Sequence, residues 1–342
     1  MHRRTVFALP LLTAAVASGG ARAAAGLPTE EFRVQTRDPG VEIYLRNKRP
    51  AAAMTPRPER TLLFIDGLTV ASSAVFDLPL GGESWMDFIA SRGFDVWCID
   101  IRGYGQSTRL PEMAQPAAAN PPVLDAATAT GDLADAVGFI LARRGLPRLS
   151  ILAWSWGTVL AARFAGECPE RVERLALYAP VWLWQGPGPS PSAPPGAWRG
   201  VTQVAARTGW LSQAPEAHRE ALIPAGWFEQ WAASVWATDP EGARMDPPLL
   251  RVPNGPLAEV TADWAAGRPP FNPSRITART LLAVGEWDRT TPLVQGLALL
   301  ALLTNAADRS LVVLPEGTHS IFLERNRGAL FRTVQAFLEA PE

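Results

Sequence analysis

Short apolar runs of strand length alternate with stretches of helical period along most of the chain, and this alternation constrains the fold more than any other feature. Phe32-Gln35 and Val41-Leu45 read as an opening hairpin turned at Asp38-Pro39-Gly40. Strands then fall at Thr61-Ile65, Phe94-Ile99, Leu149-Ala153, Arg174-Tyr178, Thr280-Val284 and Ser310-Leu314. Helices fall at Ser84-Ser91, Thr130-Arg143, Gly157-Gly166, Leu293-Thr304 and near Phe322-Leu338, with a Pro/Ala-rich loop at Leu110-Val123. Such a chain builds a mostly parallel sheet flanked by helices, the α/β class. The pattern breaks once, from Val181 to about Pro273, where a Pro/Gly-rich stretch (Gly186-Gly196) and short aromatic helices intervene. The expected division is residues 26–180 and 274–342 as one core, with 181–273 as a helical, Trp-rich cap inserted after the sixth strand.

A chain of 342 residues with 47% hydrophobic and 19% charged residues has ample material for one large core. Net charge is −1 and no Lys/Arg cluster stands out, which argues against a nucleic-acid partner. Residues 1–25 read as a signal peptide: Arg3-Arg4, an apolar stretch from Phe7 to Val16, then Ala21-Arg22-Ala23 or Ala23-Ala24-Ala25 for cleavage. The expectation is an exported protein, periplasmic or secreted, and Arg3-Arg4-Thr5-Val6-Phe7 fits either a twin-arginine or an ordinary signal. No later segment is long and apolar enough for stable membrane insertion. Of two cysteines, Cys98 sits within an apolar strand and Cys168 after a helix. Export would permit a disulfide, but a mid-strand cysteine reads first as a small buried apolar residue. Three histidines, one of them His2, exclude a histidine-rich metal site, and no cofactor is expected.

The sharpest local feature is Ile151-Leu152-Ala153-Trp154-Ser155-Trp156-Gly157-Thr158, an apolar strand running into a helix with Ser155 at the junction. A serine there can be an ordinary helix N-cap. The surrounding residues favour more: the stretch resembles the G-x-S-x-G nucleophile elbow of the α/β-hydrolases, with Gly157 matching and Ala153 replacing the first glycine. That family's chain order is Ser, then Asp/Glu, then His. Gly285-Glu286-Trp287-Asp288, with Pro292 following, resembles its acid loop, and Leu314-Pro315-Glu316-Gly317-Thr318-His319 its histidine loop. The resemblance implies Ser155 as nucleophile, His319 as general base and Asp288 as the group that orients the imidazole. Glu286 reads as structural, and His218 falls in the polar Glu216-Glu220 stretch of the cap.

Two further segments carry the resemblance. Asp66-Gly67-Leu68-Thr69 follows Thr61-Ile65 where many relatives read His-Gly, which implies the Leu68 and Trp156 N–H groups as an oxyanion hole. Asp66 replaces histidine there. An ionised carboxylate would oppose a developing oxyanion, so Asp66 is expected to turn away and accept backbone N–H bonds. Asp100-Ile101-Arg102-Gly103-Tyr104-Gly105-Gln106-Ser107 matches the family's D-x-R-G-x-G-x-S turn, braced by Asp100 and Arg102. The resemblance runs through these motifs in order between about Pro58 and Leu338.

Tryptophans are concentrated at Trp154 and Trp156 and through the expected cap. Trp227 and Trp231, four apart, would share a helix face. Ordinary packing accounts for most of them, but Trp154, Trp227 and Trp231 are candidates for a substrate pocket. The expected substrate is a small molecule: an apolar ester or lactone of modest size. Three alternatives stay open. Ser155-Trp156-Gly157 also resembles the proline iminopeptidases, with Glu229 free to bind an amine; the same triad supports C–C bond hydrolysis or cofactor-free oxygen chemistry; and a triad can persist in a non-catalytic binding protein.

Overall fold

The structure, a computed structural model, describes residues 27–50, 55–184 and 196–341. The expected signal peptide at 1–25, and residues 186–195 of the Pro/Gly-rich stretch, lie outside the described residues. In chain order the strands are β1 (Thr29–Gln35), β2 (Glu42–Lys48), β3 (Thr61–Ile65), β4 (Asp95–Asp100), β5 (Leu149–Trp154), β6 (Val172–Tyr178), β7 (Trp198–Val201), β8 (Leu250–Pro253), β9 (Arg279–Gly285) and β10 (Arg309–Leu314). Eight of them form one sheet in the order β1-β2-β4-β3-β5-β6-β9-β10. The β1/β2 and β2/β4 pairs are antiparallel, and all other pairs in it are parallel. Every residue of β3, β4 and β5 is buried, as continuous apolar runs require when both faces of a sheet are covered.

The longer helices are α1 (Trp85–Ala90), α2 (Ala126–Arg144), α3 (Gly157–Glu167), α4 (Gln203–Gln213), α5 (Trp227–Trp236), α6 (Gly255–Ala266), α7 (Leu293–Leu302) and α8 (Arg327–Glu339). Local chemistry sets their ends. A reciprocal capping box of Ser84 and Asp87 starts α1. Asp125 accepts the Thr128 N–H at 2.7 Å, so α2 begins four residues before the expected Thr130. The last helix starts later than expected because Ile321–Leu323 forms its own tight turn. Phe64, Phe76, Trp85, Phe322 and Phe331 interlock beside the sheet, with Trp85 stacked on Phe331 at 4.8 Å. Phe322 also packs against Trp154 at 4.8 Å, which joins this core to the residue before Ser155.

The insertion falls between β6 and β9 and, unlike the helical cap expected from the sequence, is not helical throughout. Beside α4, α5 and α6 it contains an antiparallel ribbon, β7 with β8, pairing Trp198 with Pro253 and Val201 with Leu250. Each strand has four residues, too few for a period-2 signal, and the partners lie far apart in sequence. Buried Arg251 anchors the ribbon through Asp239 at 2.6 Å. Both cysteines are free thiols, Cys98 fully buried in β4. No described helix is long and apolar enough to cross a membrane.

Candidate active site

Ser155 links β5 to α3 with φ +54°, a left-handed conformation that non-glycine residues rarely adopt and that costs on the order of 1–3 kcal/mol. The surroundings hold it there. Its N–H donates to Tyr178 O at 3.1 Å, and its carbonyl accepts from Thr158 N and Thr158 Oγ1. Two glycines make the close approach possible. A Cβ at Gly157 would stand 2.2 Å from Asp66 O, and one at Gly67 would stand 3.0 Å from Ser155 Cβ.

His319 and Asp288 arrive on the loops after β10 and β9. Glu286 N–H donates to Leu314 O, Trp287 N–H to Gly317 O at 2.8 Å, and Glu316 N–H to the Glu286 carboxylate at 2.9 Å, so Glu286 latches the two loops together. His319 Nε2 lies 2.8 Å from Ser155 Oγ, and its Nδ1 lies 2.9 Å from Asp288 Oδ2. Facing a carboxylate, Nδ1 carries the proton and leaves Nε2 as the acceptor for the serine hydroxyl. The other Asp288 oxygen accepts Thr290 N–H at 2.9 Å and Thr291 N–H at 2.8 Å, while Thr291 Oγ1 donates to Oδ2 at 2.8 Å. All three side chains are buried. A hydroxyl with an aligned base and an oriented imidazole is the arrangement that acyl transfer requires.

Leu68 follows Gly67, and its carbonyl is fixed by Tyr104 Oη at 3.0 Å and Arg199 Nη2 at 3.2 Å. Trp156 immediately precedes Gly157 at the start of α3, where the first N–H groups have no partner within the helix. Its ring is buried. Asp66 differs from expectation: its Oδ1 accepts the Ser72 hydroxyl at 3.1 Å, and its other oxygen is buried without a partner. Burial, reinforced by the nearby Asp100 carboxylate, pushes the Asp66 carboxyl well above the usual range and favours the neutral acid. Asp100 itself accepts Ser73 N, Ser73 Oγ and Gln106 N, and Arg102 pairs with Asp132 and Asp38, which braces the turn after β4.

A cavity of about 460 Å³ opens onto Ser155 and His319, with Trp154, Trp184, Trp264, Leu257 and Val260 among its walls. The last four come from the insertion. Arg289 is the one guanidinium among the described lining residues, and no carboxylate lines the cavity among them. Of the expected pocket tryptophans, Trp154 lines this cavity, whereas Trp227 and Trp231 are not among its described lining residues. Trp227 lies under the Arg327 guanidinium at 4.6 Å, and Trp231 is buried against Trp210, Phe228 and Trp236. A four-residue spacing identifies a common face without saying what that face meets. Glu229 is exposed and pairs with Arg207 at 3.4 Å, and His218 packs on Trp287 at 4.8 Å. Thr291, Tyr104 and Arg199 escaped the sequence reading; only Thr291, three residues after Asp288, carried a local signal.

The amino-acid sequence matches the family described as alpha/beta hydrolase fold over residues 61–326. No curated protein matches it. Among solved structures it is similar to a serine hydrolase from the polyaromatic hydrocarbon-degrading bacterium Cycloclasticus zankles, at 13% identity and TM-score 0.60, covering 91% of this chain and 98% of that one. It is also similar to a hydrolase from Pseudomonas aeruginosa, at 20% identity and TM-score 0.60, covering 93% and 100%. An esterase from Thermogutta terrifontis gives 16% identity and TM-score 0.58, covering 90% and 98%. At these identities the structural likenesses speak for the fold alone. With the sequence match spanning most of its length and an eight-stranded, mostly parallel sheet beneath the site, the chain belongs to the alpha/beta hydrolase family.

Proposed function

We propose that this hydrolase cleaves a carboxylic ester or lactone of a small to medium apolar substrate through an acyl-enzyme on Ser155. The observation that carries the proposal is the continuous relay from Ser155 Oγ through the His319 ring to Asp288, at 2.8 and 2.9 Å. Ser155 Oγ attacks the acyl carbon while His319 Nε2 takes its proton. The carbonyl oxygen becomes an oxyanion that accepts the Leu68 and Trp156 N–H groups, a contribution of about 3 kcal/mol per donor. The bond to the leaving alcohol then breaks, and the imidazolium returns the proton to it. Water repeats the sequence on the acyl-enzyme and regenerates the serine. Asp288 keeps Nδ1 protonated and stabilises the imidazolium. The aromatic and aliphatic walls suit an apolar acyl or alkoxy group.

The aminopeptidase reading is less favoured, because Glu229 pairs with Arg207 and is not among the described lining residues, none of which offers an ammonium a carboxylate. The insertion acts in this proposal as a cap that shields the acyl group. Residues 1–25 direct export, which N-terminal sequencing of the mature protein from the periplasm or medium tests. A panel of chromogenic esters, lactones, proline arylamides and C–C diketone substrates, run beside Ser155→Ala, tests the reaction class. Turnover confined to arylamides or diketones overturns the ester proposal. Absence of fluorophosphonate labelling at Ser155 favours a binding protein.

A further inference from the structure

We infer that Gln213, the last residue of α4 in the insertion, is a positioning residue that sets the His319 ring against Ser155. The inference rests on the hydrolase reading above. Gln213 Oε1 accepts two backbone N–H groups from different loops: that of His319 itself at 3.2 Å and that of Arg289, next to Asp288, at 3.4 Å. One amide oxygen thus ties the histidine loop to the acid loop on the side facing the insertion. Trp210, one turn earlier on α4, grips the same loop through a second route. Its Nε1 donates to Glu324 at 2.7 Å, and Glu324 accepts Thr318 N–H at 3.1 Å together with the Thr318 hydroxyl. One face of one inserted helix therefore holds both the residue before the imidazole and the imidazole's own peptide.

The core adds two restraints on the peptides of the loop, Trp154 Nε1 on His319 O and Tyr178 Oη on Thr318 O, each at 2.8 Å. These hold carbonyls, whereas α4 reaches the N–H groups. Asp288 orients the ring at Nδ1, and α4 adds the restraint on the peptide that carries it, so the insertion that walls the cavity also helps to set the base. A substrate that shifts the insertion would act on the proton relay without touching it.

The test uses the full chain, with each rate expressed per serine titrated by a fluorophosphonate, so that misfolded protein drops out. Gln213→Leu removes the acceptor; kcat should fall about tenfold, the factor equivalent to one neutral hydrogen bond, with KM nearly unchanged. Gln213→Glu restores an acceptor and adds a charge. It should recover most of kcat and move the acid limb of the pH profile upward by about half a unit to one unit, because a carboxylate near the ring favours imidazolium. The ionisable neighbours against which that shift is read are Asp288 at Nδ1, Glu324 and Tyr178 through Thr318, and Arg289 in the cavity wall. A Gln213→Leu enzyme with the parental kcat per titrated site, or a Gln213→Glu enzyme with an unmoved limb, overturns the inference. Failure of the hydrolase reading is a separate result, seen as labelling or turnover that survives Ser155→Ala.

Discussion

The indole Nε1 of Trp154 donates a 2.8 Å hydrogen bond to the backbone carbonyl of His319, so the residue before the serine grips the residue that receives its proton. Trp154→Phe keeps an aromatic wall and removes the donor. The orphaned carbonyl should lower stability by about 1–3 kcal/mol, and kcat should drop several-fold as the loop loosens. Chemical denaturation and steady-state kinetics on the same preparation check both. An unchanged kcat would show that the bond serves packing only.

Ser155→Ala and His319→Ala should each lower kcat by roughly 10⁴- to 10⁶-fold, with the double variant no worse than either single one, because the relay acts as a unit. Asp288→Asn should lose on the order of 10⁴-fold by favouring the wrong tautomer. On the acid side kcat/KM should fall with the slope of one proton, since imidazolium cannot accept from the hydroxyl. Additive losses, or a level acid side, would speak against the relay.

Asp66 gives a stability prediction with a definite sign. Its folded carboxyl is pushed up by burial, while in the unfolded chain it titrates near the ordinary value of about 4. Between those values the folded state binds the extra proton, so rising pH destabilises it. Asp66→Asn removes that dependence, leaving only a pH-independent packing term. Relative to the parent, the variant's Tm should therefore improve from pH 5 to pH 8. A Tm difference that stays constant across this range would mean that the carboxyl ionises as freely folded as unfolded.

The two glycines beside the serine should tolerate alanine unequally. At Gly157 the new methyl would lie 2.2 Å from the Asp66 carbonyl, a rigid backbone atom, and several kcal/mol of destabilisation or failure to fold is expected. At Gly67 it would lie 3.0 Å from Ser155 Cβ, close enough to push Leu68 and the serine apart. Gly67→Ala should fold and lose kcat by tenfold or more. Thermal melts and kcat of the two variants distinguish the outcomes.

The features readable from sequence are those whose physics is local. β3 and β5 announce themselves as apolar runs, and Ser155, Asp288 and His319 sit in short segments whose glycines and chain order are informative by themselves. What escaped depends on contacts between distant segments. The β7–β8 ribbon pairs strands too short to carry a period, and Gln213 is an unremarked helix-terminal amide until two loops are folded against it. Trp227 and Trp231 show the opposite error: helical spacing gave them a shared face, but the neighbours of that face are set by tertiary packing. Asp66 is intermediate, for the sequence exposed the conflict of a carboxylate near an oxyanion, and only its burial supplied the resolution.

The hydroxyl and the imidazole that meet at 2.8 Å are 164 positions apart along the chain. During synthesis, Ser155 leaves the ribosome long before its base exists, and β9, β10 and the whole insertion separate the two events. A nascent or truncated polypeptide therefore carries the attacking group with nothing to deprotonate it. Turnover consequently reports completed assembly, which would make a simple chromogenic assay a clock for the last step of folding.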